Sequence, residues 1–146
     1  MPQDISPPRG PARSQPDAAA DTGPRRTILV AEDDADVRLM MKALLEMKGY
    51  RVVLAGDGRA AVEAAHVERP DLILVDLQLP LLNGLGVARS VRQSDGLCAV
   101  PIVVLSGHDP LNHRGLALAA GCNAYVQKPI DFDQLDELIF NLLTAG

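Results

Sequence analysis

At 146 residues the chain is long enough for one domain with a buried core. Its net charge of −5 at pH 7 argues against nonspecific binding to nucleic acid or anionic membranes, which needs basic patches. Hydrophobic residues make up 47% of it, yet no apolar run reaches the roughly 18 residues of a membrane span. Two cysteines, Cys98 and Cys122, make neither a disulfide framework nor a metal cluster and read as reduced thiols.

Residues 1–26 hold six of the eleven prolines and little apolar content besides alanine. Such a segment cannot bury enough apolar surface to offset its ordering entropy, so it is expected to be a disordered tail. Its Pro8-Arg9-Gly10-Pro11 has the PxxP form that docks into aromatic grooves, although a flexible leader is the simpler reading. It lacks the charged-then-apolar pattern of a signal peptide, so a cytoplasmic protein is expected.

From Thr27 the pattern changes and repeats. Thr27–Ala31 is a short apolar strand, after which Val37, Met40, Met41, Leu44 and Leu45 recur at helical spacing until Gly49. Tyr50–Ala55 reads as a second strand, and an alanine-rich helix from about Arg59 to Val67 stops at Arg69-Pro70. Asp71–Val75, "DLILV", is a third strand without polar alternation, as expected when both faces are covered. A helix from about Gly84 to Arg92 leads to "PIVVL", Pro101–Leu105, a fourth buried strand. A helix near Pro110–Ala120 precedes a fifth strand, Ala124–Gln127. The last helix sets Phe132, Leu135, Leu138, Ile139, Leu142 and Leu143 on one side.

Five strand–helix alternations with short connections predict right-handed βαβ units. The expected fold class is α/β, a doubly wound five-stranded parallel sheet with five helices. In such sheets ligands bind beyond the carboxyl ends of the strands. There stand Glu32 and Asp33 after the first strand, Asp76 after the third, Ser106 after the fourth and Lys128 after the fifth.

If the first and third strands are neighbours, Glu32, Asp33 and Asp76 share one pocket, where three carboxylates are costly without a cation. Hard oxygen donors with room for waters suit Mg²⁺, with Mn²⁺ able to substitute. A metal beside Lys128 and Ser106 makes a site for a phosphoryl group. Asp34 reads differently, as the cap of the first helix. His66, His108 and His113 lack metal-ligand spacing and read as surface or loop residues.

These residues resemble the response-regulator receiver domain of two-component signalling, with its flavodoxin-like fold. "ILVAEDD" resembles the acidic first-strand motif, and "DLILVDLQLPLLNG" the phosphoacceptor strand and its loop. "PIVVLSG" and "AYVQKP" resemble the fourth and fifth strands. The match covers residues 27–145, essentially all but the tail. It implies that Asp76 accepts a phosphoryl group from a phosphohistidine, with Asp33, Asp76 and the Gln78 backbone carbonyl on Mg²⁺ and Glu32 acting through a water. It implies that Lys128 pairs with Asp76, that Ser106 turns toward the phosphoryl group, and that Tyr125 follows as the second switch residue. Lys128-Pro129 is expected to be cis. Glu32 stands where aspartate is commoner, and the Gly84 and Gly86 pair is expected to loosen the start of the third helix. The resemblance also implies that Gln78 and His108 occupy variable positions beside the pocket, where side chains influence how fast the acyl phosphate hydrolyses.

The resemblance implies a bacterial signalling phosphoacceptor, not an enzyme in the ordinary sense, that catalyses its own phosphorylation and dephosphorylation. The expected partners are a histidine kinase or histidine phosphotransfer protein and a downstream protein target, with the chain a monomer or weak dimer. Val37, Arg38 and Met41 are the expected kinase-docking face, and the surface of the fourth helix, fifth strand and fifth helix the output face. No output module follows Leu142-Leu143, so a stand-alone receiver is the first expectation and an excised receiver of a hybrid kinase the second. A flavin-binding protein of the same fold is disfavoured, because acids stand where a phosphate-cradling glycine loop would be.

Overall fold

The computed structural model describes residues 25–108 and 110–145, without the side chains of Pro110 and Asn112. The proline-rich tail expected over residues 1–26, with its PxxP stretch, lies almost wholly outside the described residues. Ten elements alternate from β1 (Thr27–Ala31), α1 (Ala35–Met47), β2 (Arg51–Ala55) and α2 (Gly58–Glu68) to β3 (Leu72–Asp76) and α3 (Gly84–Arg92). They continue through β4 (Ile102–Ser106), α4 (Pro110–Ala119) and β5 (Ala124–Gln127) to α5 (Phe132–Thr144). The strands form one parallel sheet in the order β2-β1-β3-β4-β5.

Strand pleating sorts the apolar residues into two cores, because successive side chains point to opposite faces. Leu29, Ile73, Val75, Ile102 and Val104 meet Ala61 and Ala65 of α2, Val87 and Val91 of α3, and Ala117 of α4. Their neighbours Ile28, Val30, Leu72, Leu74, Val103 and Leu105 meet Met41 and Leu45 of α1 and Leu135, Ile139 and Leu143 of α5. Both faces are therefore covered, which is why these strands carry unbroken apolar runs.

Local chemistry sets the helix ends. Asp34, Asp57, Asn83 and Asp131 cap α1, α2, α3 and α5, each accepting backbone N–H bonds on its side chain. Gly49 follows α1 at φ +96°, the left-handed conformation that suits glycine past a helix end. Both β3 and β4 run one residue further than the apolar pattern suggests. Asp76 and Ser106 are thus the last residues of their strands and sit in the ladder, not beyond it.

The order of connection reverses between β1 and β3, and that is where a doubly wound sheet opens a crevice at its carboxyl edge.

Candidate functional site

Register alone brings the site together. Ala31, the end of β1, pairs with Val75, so Glu32 and Asp33 leave the sheet beside Asp76. Asp76 pairs with Leu105 and Ser106 with Gln127, which places Ser106 and Lys128 on the other flank. The Lys128 N–H also donates to the Ser106 carbonyl at 2.7 Å.

One carboxylate oxygen from each of Glu32, Asp33 and Asp76 lies within 4.8 Å of the other two. Glu32 and Asp76 are buried and Asp33 is exposed. Asp76 accepts the Gln78 backbone N–H on Oδ1 at 2.9 Å and the Lys128 ammonium on Oδ2 at 2.7 Å. Glu32 accepts the Asp34 N–H on Oε2 at 3.2 Å and Lys128 on Oε1 at 3.4 Å.

Burial, followed by the charge of Asp76, pushes the Glu32 carboxyl above its usual range against the opposing pull of the Asp34 N–H and Lys128. Burial alone would lower Lys128, but its hydrogen bond to Asp76 and the charges of Asp76 and Glu32 outweigh that and raise it. Lys128 is therefore an ammonium at neutral pH. Lys128 pairs with two of the acids, and with Asp33 beside them the three carboxylates are a donor set of hard oxygens suited to a divalent ion.

On the other flank Ser106 is 1% exposed and its Oγ accepts the His108 N–H at 3.0 Å. Half-buried Tyr125 donates its hydroxyl to the His108 carbonyl at 2.9 Å. The two expected switch residues are thus linked through the backbone of a single residue. The His108 ring meets the Gln78 side-chain amide at 2.6 Å and stacks on His113 with centroids 4.5 Å apart. The resemblance implies Gln78 and His108 beside the pocket, whereas the bonds of the His108 backbone depend on how the loop folds, which nothing along the chain marks. The Lys128-Pro129 peptide is cis, as expected.

One expectation is corrected. Met41 is 0% exposed and packs against Ile28, Val30 and their neighbours, so it cannot meet a partner; the large apolar side chains that α1 exposes are Leu39, Met40 and Met47. Gly84, the first residue of α3, stands where two segments approach closely. It lets the loop close on the Asp76 backbone, where a Cβ would stand 2.6 Å from the Asp76 carbonyl, and its N–H bonds the Leu77 carbonyl at 2.9 Å.

Residues 28–140 match the family described as the response regulator receiver domain. Response regulator MprA of Mycolicibacterium vanbaalenii is 38% identical over 108 residues, which cover 74% of this chain and 46% of that protein. DNA-binding response regulator MtrA of Mycobacterium tuberculosis is 39% identical over 105 residues, 72% of this chain and 45% of that protein. The chain thus spans about half the length of these curated relatives. Among solved structures, the receiver domain of a sensor histidine kinase from Pseudomonas aeruginosa aligns with a TM-score of 0.75 at 33% identity. That alignment covers 82% of this chain and 98% of the other, whose active site cleft coordinates a magnesium ion.

Proposed function

The chain belongs to the response regulator receiver domain family, and on that premise we propose that Asp76 takes a phosphoryl group from a phosphohistidine and so switches a protein-binding surface. One observation carries the reading: a buried aspartate at a strand end, 2.7 Å from an ammonium, inside a group of three carboxylates.

Phosphoryl transfer asks the protein for positioning and charge compensation and little else. An Asp76 carboxylate oxygen forms the new O–P bond as the N–P bond breaks, and the histidine nitrogen keeps the electron pair. Lys128, already held on Asp76, balances charge on the phosphoryl oxygens. Asp33, Asp76 and the Gln78 carbonyl would hold Mg²⁺, with Glu32 acting through a water and Mn²⁺ able to substitute; the ion supplies the remaining neutralisation of the peripheral oxygens. Ser106 gives a neutral donor. Turning its hydroxyl to the phosphoryl group disturbs the His108 bond, and Tyr125 senses this through the same residue. Phosphorylation and dephosphorylation are then chemistry of the chain itself.

The donor is a histidine kinase or histidine phosphotransfer protein, docked over α1 on Leu39 and Met40 instead of Met41. The target is a protein that reads α4, β5 and α5. A stand-alone cytoplasmic receiver, monomer or weak dimer, is the primary reading, with a net charge of −5 that favours neither nucleic acid nor membrane. A receiver domain of a hybrid kinase is the second, favoured by the 33% identity to a sensor kinase's receiver.

The test is intact mass after incubation with acetyl phosphate and Mg²⁺, beside Asp76→Asn and a chelator control. One added phosphoryl group, absent from the variant and without metal, is expected. Equal labelling of Asp76→Asn would remove Asp76 from the role.

A further inference from the structure

We infer that Arg38 is a positioning residue for the divalent cation site, acting on the backbone of the acidic turn and, through it, on the Asp33 carboxylate. The inference rests on the proposed reading of Glu32, Asp33 and Asp76 as a cation site.

Arg38 lies in the first turns of α1, and its guanidinium reaches back over the helix start. It donates to the Glu32 carbonyl at 2.8 Å and to the Asp33 carbonyl at 3.4 Å. Gly56, at the end of β2, leaves it room: a Cβ there would stand 3.2 Å from the same nitrogen. The Glu32 N–H is held in turn by the Ala55 carbonyl at 3.0 Å. The turn is therefore gripped from two sides, by the end of β2 and by the Arg38 side chain.

The acids differ in how they are held. Glu32 and Asp76 each accept hydrogen bonds on both carboxylate oxygens. Among the described residues none donates to the Asp33 carboxylate, which is exposed. Its direction follows from its own backbone, and Arg38 holds that backbone. A guanidinium placed on the carboxylates themselves would compete with a metal. Placed on the carbonyls, it orders the turn and leaves the metal-facing oxygens open. Arginine suits this because its planar fork is pre-organised and always charged.

Two effects of opposite sign are at stake. Ordering the turn tightens cation binding, whereas a fixed positive charge nearby weakens it. Arg38 is half-exposed, so solvent screens its charge, and ordering is the larger effect.

The experiment is calorimetric titration with Mg²⁺ of the wild-type chain, Arg38→Met, Arg38→Lys, Asp33→Ala and the Arg38→Met/Asp33→Ala double variant. The Mg²⁺ dissociation constant is expected to rise about tenfold in Arg38→Met, the low end for losing an outer-shell partner. Arg38→Lys is expected to weaken binding less, and Arg38→Met to add little once Asp33 is gone. Urea unfolding without metal identifies a variant that has lost its fold, in which case Arg38→Lys decides. Tighter binding by Arg38→Met with Arg38→Lys unchanged would make Arg38 a mere charge and overturn the inference. So would an unchanged constant, or additive effects with Asp33→Ala. Failure of the wild-type chain to bind Mg²⁺ would instead overturn the cation site on which the inference stands.

Discussion

Lys128 holds its ammonium 2.7 Å from one oxygen of Asp76 and 3.4 Å from one of Glu32, so a single cation spans two buried acids from different strands. Removing it leaves two carboxylates facing each other with little water. Breaking a fully buried pair costs about 3–5 kcal/mol, and since the Lys128 side chain is 32% exposed the loss here is nearer about 1–2 kcal/mol. Lys128→Met is therefore expected to unfold at lower urea concentration than wild type in chelator, with Mg²⁺ closing much of the gap. Identical midpoints in chelator would show that the pair contributes no stability.

Ser106 is nearly inaccessible and satisfies the His108 N–H. Ser106→Ala strands that donor at a cost of about 1 kcal/mol, readable by urea unfolding of the unphosphorylated protein. In the proposed reaction it also removes a donor to the phosphoryl group, worth about tenfold in the rate of modification by acetyl phosphate. Ser106→Thr keeps the hydroxyl and should restore that rate. If Ser106→Ala and Ser106→Thr react alike, the hydroxyl plays no part.

Much of this architecture is legible along the chain, and what is not has a common cause. "LILV" and "IVVL" read as buried strands because both sheet faces are covered, and acids after apolar runs announce a site at the carboxyl edge. Met40 and Met41 are equal in hydropathy, and only the rotation of α1 on the sheet buries Met41 and leaves Met40 45% exposed. Arg38 reads along the chain only as part of the docking face, because its carbonyl partners depend on how the turn folds back. Gly58 falls just before the helix expected from Arg59, and nothing along the chain shows that a Cβ there would collide with the Leu82 carbonyl, a contact between segments far apart in sequence. In each case the missing information is the path of a second segment.

The correction at Met41 separates stability from docking. Met41→Ala empties a fully buried site between α1 and the sheet, for about 2–5 kcal/mol. Leu39, 58% exposed on the same helix, should change stability by no more than about 0.5 kcal/mol when replaced by alanine. Thermal or urea unfolding of the two variants reads this directly. A Leu39→Ala loss as large as that of Met41→Ala would mean that α1 sits on the sheet with a different face inward.

The two thiols should behave as different reagents. Cys98 is exposed, whereas burial pushes the Cys122 thiol up to about 11 against the pull of Arg92 and Arg89. At pH 8 only about one Cys122 in a thousand is then thiolate, the form that alkylates, and that fraction is shielded by the core. Iodoacetamide on the folded protein is expected to add one group, at Cys98, with Cys122 labelled only after denaturation. Prompt double labelling would place Cys122 near solvent.

Glu32 makes the pH dependence of the metal-free protein specific in sign. Burial and the charge of Asp76 hold its carboxyl above the ordinary value of 4.5, so over that window the folded state retains a proton that the unfolded chain has lost. Its contribution to stability is thus greatest at and below the ordinary value and declines as pH rises through the folded one. Glu32→Gln has no proton to lose there. It forfeits some attraction to Lys128 at every pH, but its melting temperature relative to wild type should climb by a few degrees from mildly acidic to neutral buffer. Mg²⁺ should reverse the trend, because a cation stabilises the ionised carboxylate that only wild type possesses. Melting curves in chelator and in Mg²⁺ across that range decide the matter. A difference that stays flat, or one that falls as pH rises in chelator, would mean that Glu32 ionises as easily in the fold as in the open chain.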